Sequence, residues 1–126
     1  MMNHIFFSIF CTIQYIFDRS SNTCDTYTGE FLLIVHHILS GYIFLGGFLF
    51  NPIYHLIFII IILIHWITNN NRCALTVVTN EYCGYEETRN FNDFTEQLRL
   101  NEINENLDWY LLIGLITYDI IYLIKN

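Results

Sequence analysis

The chain has 126 residues, of which 54% are hydrophobic, 17% aromatic and only 13% charged, with a formal charge of −7. A water-soluble domain carries about 25% charged residues, so this chain lacks the groups needed to cover a water-facing surface. It has no basic cluster, which argues against nucleic acid and anionic lipid headgroups as partners. The apolar residues come in blocks and the acid is concentrated at 81–108. That pattern predicts an all-α integral membrane bundle forming one domain, 1–126.

The first block, 4–17 (HIFFSIFCTIQYIF), is shorter than the roughly 20 residues a spanning helix needs. It has no positive n-region and no small-residue cleavage site, so it does not read as a cleaved signal peptide. It reads as a short first span, with a helix lying in the membrane plane as the alternative; short spans suit a thin bilayer. Cys11 within it reads as a small apolar filler. A polar segment, 18–29, follows.

Residues 31–50 (FLLIVHHILSGYIFLGGFLF) have the length of a full span. Asn51 and Pro52 break the helix, because proline disfavours a helical residue before it. The chain then runs back through 53–68 (IYHLIFIIIILIHWIT) as an antiparallel neighbour. The polar region 69–106 comes next. Its opening, 69–72, carries strong helix-stop chemistry. Cys73 to Thr76 should turn back over the bundle end, with Thr76 and Asn80 in capping or turn roles.

Phe91, Phe94, Leu98 and Leu107 recur at roughly helical spacing among acids. This predicts an amphipathic surface helix over about 92–105, capped by Asn90 or Asn92, packed on the membrane or on protein. A fourth span, 107–124, carries Trp109 and Tyr122 where interfacial aromatics sit. Four spans place 18–29 and 69–106 on one side, and both termini with the Asn51-Pro52 bend on the other.

Orientation is contested. Arg19, Arg72, Arg89 and Arg99 lie on the loop side against Lys125 on the other, which by the positive-inside rule favours cytoplasmic loops. Cys24, Cys73 and Cys83 also lie on the loop side, as a disulfide in an oxidising lumen would require. The arginine count tips the expectation to the cytoplasmic side.

His36 and His37 stand 15 and 14 residues before Asn51, and His65 stands 13 after Pro52. At about 1.5 Å rise per residue all three lie about 20 Å from the bend, level with one another near the loop-side interface. They are interfacial histidines bonded to carbonyls, headgroups or each other, or ligands of a b-type haem or metal, with His36 or His37 facing His65 across two helices. An acid–base or proton-relay role is a third reading. His36 and His37 are about 100° apart round the helix, so they should not share a neighbour.

His55 and Asp119 form a second polar set toward the terminal side. Asp119 should pair with His55, His4 or a tyrosine such as Tyr118 or Tyr122, or else snorkel to the interface beside Lys125. Cys73 and Cys83 match neither a redox C-x-x-C nor a zinc knuckle, so Cys24, Cys73 and Cys83 read as one disulfide plus a thiol.

The order His36, Gly46-Gly47, His55-Leu56, His65-Trp66, Cys73-Ala74-Leu75-Thr76, Thr79-Asn80 resembles a family of small bacterial membrane proteins. In that family a His-bearing helix with a Gly-Gly pair precedes a second helix and a Cys-Pro-Leu-Thr-x-x-Glu-Asn stretch. Ala74 stands in place of the proline and Thr79 in place of the glutamate, and the match spans 31–83. The same stretch is similar to small membrane proteins of large DNA viruses. The resemblance implies a compact helical membrane fold, with a viral membrane as one setting, and brings no activity with it.

No complete catalytic set is present. The expectation is a structural, scaffold or interaction role, with the bilayer and a protein docked on the acidic 81–108 as partners. A haem- or metal-binding redox protein is the alternative.

Overall fold

The helices are α1 (Met2–Ser21), α2 (Tyr27–Leu49), α3 (Pro52–Thr68), α4 (Ala74–Cys83), α5 (Phe94–Gln97), α6 (Leu100–Ile103) and α7 (Leu107–Lys125). The structure, a computed structural model, describes residues 1–126 apart from the side chain of residue 101, and no strand occurs among the described residues.

Local chemistry sets most of the helix ends. Thr26 caps α2 by accepting from the Gly29 amide at 3.0 Å. Asn51 caps α3, accepting from the Ile53 amide at 2.9 Å, and Pro52 takes the first helical position, where its missing N–H leaves nothing unsatisfied. Beyond α3 the chain turns through Asn70 and Asn71 at φ 53° and 60°, a left-handed conformation that asparagine tolerates. Gly84 ends α4 at φ 68°, and the Tyr85 amide reaches back to the Asn80 carbonyl at 2.9 Å, closing the last turn.

α2 is the central helix and touches α1, α3, α4 and α7, while α3 packs along α7. At one end Asn3 donates to the Leu49 carbonyl at 2.8 Å and Phe7 sets its ring edge-on to Phe50, beside the α2–α3 bend. At the other end α4, α5 and α6 form a polar cap. Among the described residues two helices, α2 and α7, are long and apolar enough to cross a membrane, and α3 is a shorter apolar helix.

Three expectations are corrected. Residues 4–17 are the middle of a 20-residue helix, because Met2 and Asn3 before them and the polar 18–21 after them continue it. The return after Cys73 is a helix, α4, in which Thr76 is a buried helical residue rather than a cap or turn residue, while Asn80 does close the last turn through its carbonyl. The single helix over 92–105 is instead two short pieces broken at Arg99, which sits at φ 54°. Its cap is Asp93, which accepts from the Thr95 and Glu96 amides at 3.0 and 3.2 Å, not Asn90 or Asn92. Tertiary anchoring overrides the helical period here: the Phe94 amide donates to the Gln14 side chain at 3.1 Å and the Gln97 side chain to the Gln14 carbonyl at 2.9 Å.

Burial is inverted relative to a soluble protein. Beside Leu33, Ile59 and Leu112, the fully buried side chains are largely polar, with Gln14, Asp18, His37, His55, Thr95 and Asp119 among them, whereas Ile5, Phe6, Ile9, Ile57, Ile61 and Ile113 are each more than half exposed. On α1 the inward stripe is Cys11, Gln14 and Asp18, at helical spacing, and the isoleucines point away from the bundle.

Candidate functional site

The capped end collects most of the ionisable groups. Asp18, at the end of α1, is buried and lies 3.0 Å from His37 Nε2 on α2. The same carboxylate accepts from Asn22 at 3.0 Å, Asn92 at 3.2 Å and Arg89 at 3.3 Å. Arg89 in turn lies over the Tyr85 ring, 4.0 Å from its centroid. One carboxylate therefore joins α1, α2 and the cap.

His36, His37 and His65 lie together at this end, as their distances from the bend predict, but their nitrogens do not converge. His37 is turned to Asp18. His65 Nε2 accepts the Ala74 amide at 3.0 Å, which satisfies a first-turn donor of α4. His36 stacks on Phe91 at 3.5 Å between ring centroids, and its Nε2 faces the Cys73 thiol at 3.9 Å. The expectation that His36 and His37 share no neighbour is overturned: Phe91 also lies 4.7 Å from the His37 ring. A side chain inserted from the cap reaches both, although the two histidines diverge round the helix. Among the described residues no three His, Cys, Asp or Glu side chains are grouped to hold a metal ion.

The disulfide joins Cys24 and Cys83 and leaves Cys73 free. It ties the approach to α2 to the last residue of α4. Gly29 makes room for it, since a Cβ there would meet the two sulfurs at 2.4 and 2.6 Å. Beside it the Thr26 hydroxyl donates to the Tyr82 carbonyl at 2.7 Å.

His55 and Asp119 make the second polar centre, 2.6 Å apart and both fully buried. Asp119 thus neither snorkels nor turns to His4, Tyr118 or Tyr122. His55 Nε2–H donates to the Ile43 carbonyl at 3.0 Å. That carbonyl can only accept, so the ring hydrogen on Nε2 is committed. One further proton then lies between Nδ1 and the carboxyl, as imidazolium with carboxylate or as neutral ring with acid. Either way the pair is neutral as a whole. Gly46 and Gly47 seat it: a Cβ at Gly46 would meet His55 Cδ2 at 2.4 Å, and one at Gly47 would meet Asp119 Oδ1 at 2.4 Å.

A third cluster closes the cap on α7. The buried Thr95 hydroxyl lies 2.8 Å from Asp93 Oδ1 and 3.0 Å from Asp108 Oδ1. Its single hydrogen serves one carboxylate, so the other contact becomes a hydrogen bond when a carboxyl carries a proton. Burial raises the Asp93 carboxyl to about 6, against the hydrogen bond from Thr95 and with help from the Asp108 charge.

Between α2, α3, α7 and the cap lies a cavity of about 670 Å³. Leu39, Ile43, Phe44, Ile62 and Leu112 form its apolar part, and His36, Ser40, Cys73 and Asp93 its polar part. Trp66 and Trp109, edge-to-face at 5.7 Å, also line it.

Sequence reasoning passed over Gln14 and Asp18 as site residues. Their signature was a polar stripe of Cys11, Gln14 and Asp18 on an otherwise apolar helix. Phe91 and Arg89 had no local signature, since only the folded cap brings them to α2. No protein-family model, curated protein or solved structure matches the chain.

Proposed function

We propose that the chain is a small integral membrane protein that crosses the bilayer four times, through α1, α2, α3 and α7, in a structural or interaction role. The inverted burial carries this reading. In water, the outward isoleucines and phenylalanines of four helices would be a liability of the kind that drives aggregation. In a bilayer they are the correct surface, and the polar groups belong inside. α1 is the most polar of the four within, yet it presents Ile5, Phe6, Ile9 and Ile16 outward, which favours spanning over lying on the surface.

The cap is the interaction face. Asp25, Glu81, Glu86, Glu87, Glu102 and Glu105 are exposed on it, so the fitting partner is a protein with a basic surface. The disulfide favours an oxidising compartment for this face, which reverses the expectation from arginine count. Arg19 is paired with Glu30 at 2.7 Å and Arg89 with Asp18, and Arg72 donates to the Glu87 carbonyl. Three of the four arginines thus have a role inside the protein that is independent of any topology signal.

Thiol labelling of intact, sealed vesicles with a membrane-impermeant maleimide tests topology and side together. The expected result is labelling of Cys73 from the lumenal or external side only, with Cys24 and Cys83 added after reduction. Recovery of the chain in the soluble fraction after alkaline carbonate extraction would overturn the membrane reading. Labelling from the cytoplasmic side would overturn the orientation.

A further inference from the structure

We infer that the cavity beneath the cap is a binding site for an uncharged amphiphile, one whose apolar tail lies among the helices and whose head presents a carbonyl oxygen to His36 and Ser40. This goes beyond the scaffold reading and does not depend on the cap's partner.

The inference starts from two polar groups that the fold leaves unsatisfied. His36 and Ser40 are 7% and 4% exposed, stand one helical turn apart on α2, and both line the cavity. His36 Nδ1 and Ser40 Oγ are buried with no hydrogen-bond partner. A serine hydroxyl and a ring nitrogen in such a place cost stability unless something meets them. With the Cys73 S–H donating to Nε2 at 3.9 Å, the neutral ring carries its own hydrogen on Nδ1. Two donors without an acceptor therefore lie one helical turn apart, in residues that line the cavity, and an acceptor oxygen is the complement they lack.

The rest of the cavity selects what carries that oxygen. Its helical wall, with Leu39 and Phe44 of α2 and Ile62 of α3, is apolar, and a lipid-like tail fits between them. At its rim the carboxyl groups of Asp93, Glu105 and Asp108 outnumber the guanidiniums of Arg72 and Arg89, and Arg89 is already paired with Asp18. An anionic headgroup meets net repulsion there. The chemistry that remains is a neutral carbonyl on an apolar tail, which quinones and acylglycerol esters share.

Cys73 supplies the readout, because it is half-buried and lines the same cavity. The full-length chain is placed in phosphatidylcholine nanodiscs, and the alkylation rate of Cys73 is followed by peptide mass. Three probes are added in turn: decylubiquinone, dioctanoylglycerol and anionic dioctanoyl-phosphatidylglycerol. At a probe concentration about ten times its Kd, mass action slows alkylation about tenfold. Protection by the quinone alone identifies a flat-ring head, and protection by the diacylglycerol alone identifies an acyl ester. Either supports the site, provided that the anionic probe gives none.

Ser40→Ala removes one neutral hydrogen bond and should weaken the protecting probe about fivefold, with the unprotected rate unchanged. His36→Phe keeps the stack on Phe91 and should weaken it likewise, so the test does not rest on a single variant. The inference is overturned if no neutral probe slows alkylation. Equal protection in wild type, Ser40→Ala and His36→Phe, or protection by the anionic probe as strong as by the neutral ones, overturns it too.

Discussion

Replacing Asp119 tests the proton logic of the buried pair most sharply. His55 Nε2–H is held by the Ile43 carbonyl, so Nδ1 must face a partner that shares or donates a hydrogen. Asp119→Leu removes that partner and leaves a neutral ring with an unpaired nitrogen in a site of zero exposure. A hydrogen bond to a charged group contributes about 1.5–3 kcal/mol, and an orphaned buried polar atom costs about 1–3 kcal/mol. These overlap, and interhelical hydrogen bonds measured inside membranes fall at the low end, so the expected loss is about 1–2 kcal/mol. Asp119→Asn is different. Its amide N–H can donate to the neutral Nδ1 with the same shape, so the loss should stay below about 1 kcal/mol. The assay is reversible unfolding in mixed micelles by titration with a denaturing detergent, run as a double-mutant cycle with His55→Leu. A coupling of about 1 kcal/mol between Asp119→Leu and His55→Leu is expected. Equal damage from Asn and Leu at position 119, or a coupling below about 0.5 kcal/mol, would refute the argument.

Gly47→Ala should destabilise by about 1–3 kcal/mol through overpacking, since its Cβ would meet Asp119 Oδ1 at 2.4 Å; thermal melting should show the loss shrinking in a His55→Ala background. Cys24 and Cys83 are 59 residues apart, so reduction should remove about 4 kcal/mol on the chain-entropy account, read as a lower unfolding midpoint with reductant. Asp18→Ala leaves Arg89 and His37 without their carboxylate and should cost about 3 kcal/mol or more, with faster proteolysis within 84–106 as the readout. The Asp93 carboxyl is raised in the folded state, to about 6, so the folded chain holds more protons than the unfolded one between that value and the ordinary one of about 4. Stability should therefore rise as pH falls from 6 towards 4, by on the order of 1 kcal/mol given partial solvent exposure, and Asp93→Asn should flatten that slope in a melting series.

The helical class, the α2–α3 hairpin and the last helix were legible because each is written locally, as apolar blocks bounded by Asn51-Pro52 and by polar runs. The shared depth of His36, His37 and His65 followed from counting rise along two antiparallel helices. Their partners did not, because these come from elsewhere in the chain: Asp18 from α1, Ala74 from α4 and Phe91 from the cap. The cap itself was misread for the same reason. Its hydrophobic spacing suggested one helix, but Gln14 holds Phe94 and Gln97 and so fixes a break that no local pattern encodes. The Gly46-Gly47 pair was visible as a motif, and its purpose became clear only with His55 and Asp119 in place. Snorkelling was a fair expectation for Asp119 from its nearness to the helix end, and it failed because the two glycines leave room for the carboxyl beside His55.

On the four-span reading, the placement of these polar centres follows from what lipid cannot do. Lipid tails are as apolar as leucine, so burying apolar surface gives little force between helices in a bilayer, and packing and hydrogen bonds must hold the bundle. Each helix that would span is fastened in that way. α1 is held to α2 and the cap through Asp18. α7 is held to α3 by Asp119 and His55, and through His55 to the Ile43 carbonyl of α2. α3 is joined to α4 by His65, and α4 to the start of α2 by the disulfide. The His55–Asp119 centre is neutral as a whole, and Asp18 is compensated by Arg89 at its side, so the bundle holds no isolated charge at either. His36 meets the cap through Phe91 and Cys73, but its Nδ1 and the Ser40 hydroxyl, both on the central helix, fasten nothing. In a bundle where the other buried polar centres mostly bind one helix to another, a pair of unpartnered groups in residues that line a cavity is better explained by a ligand than by architecture.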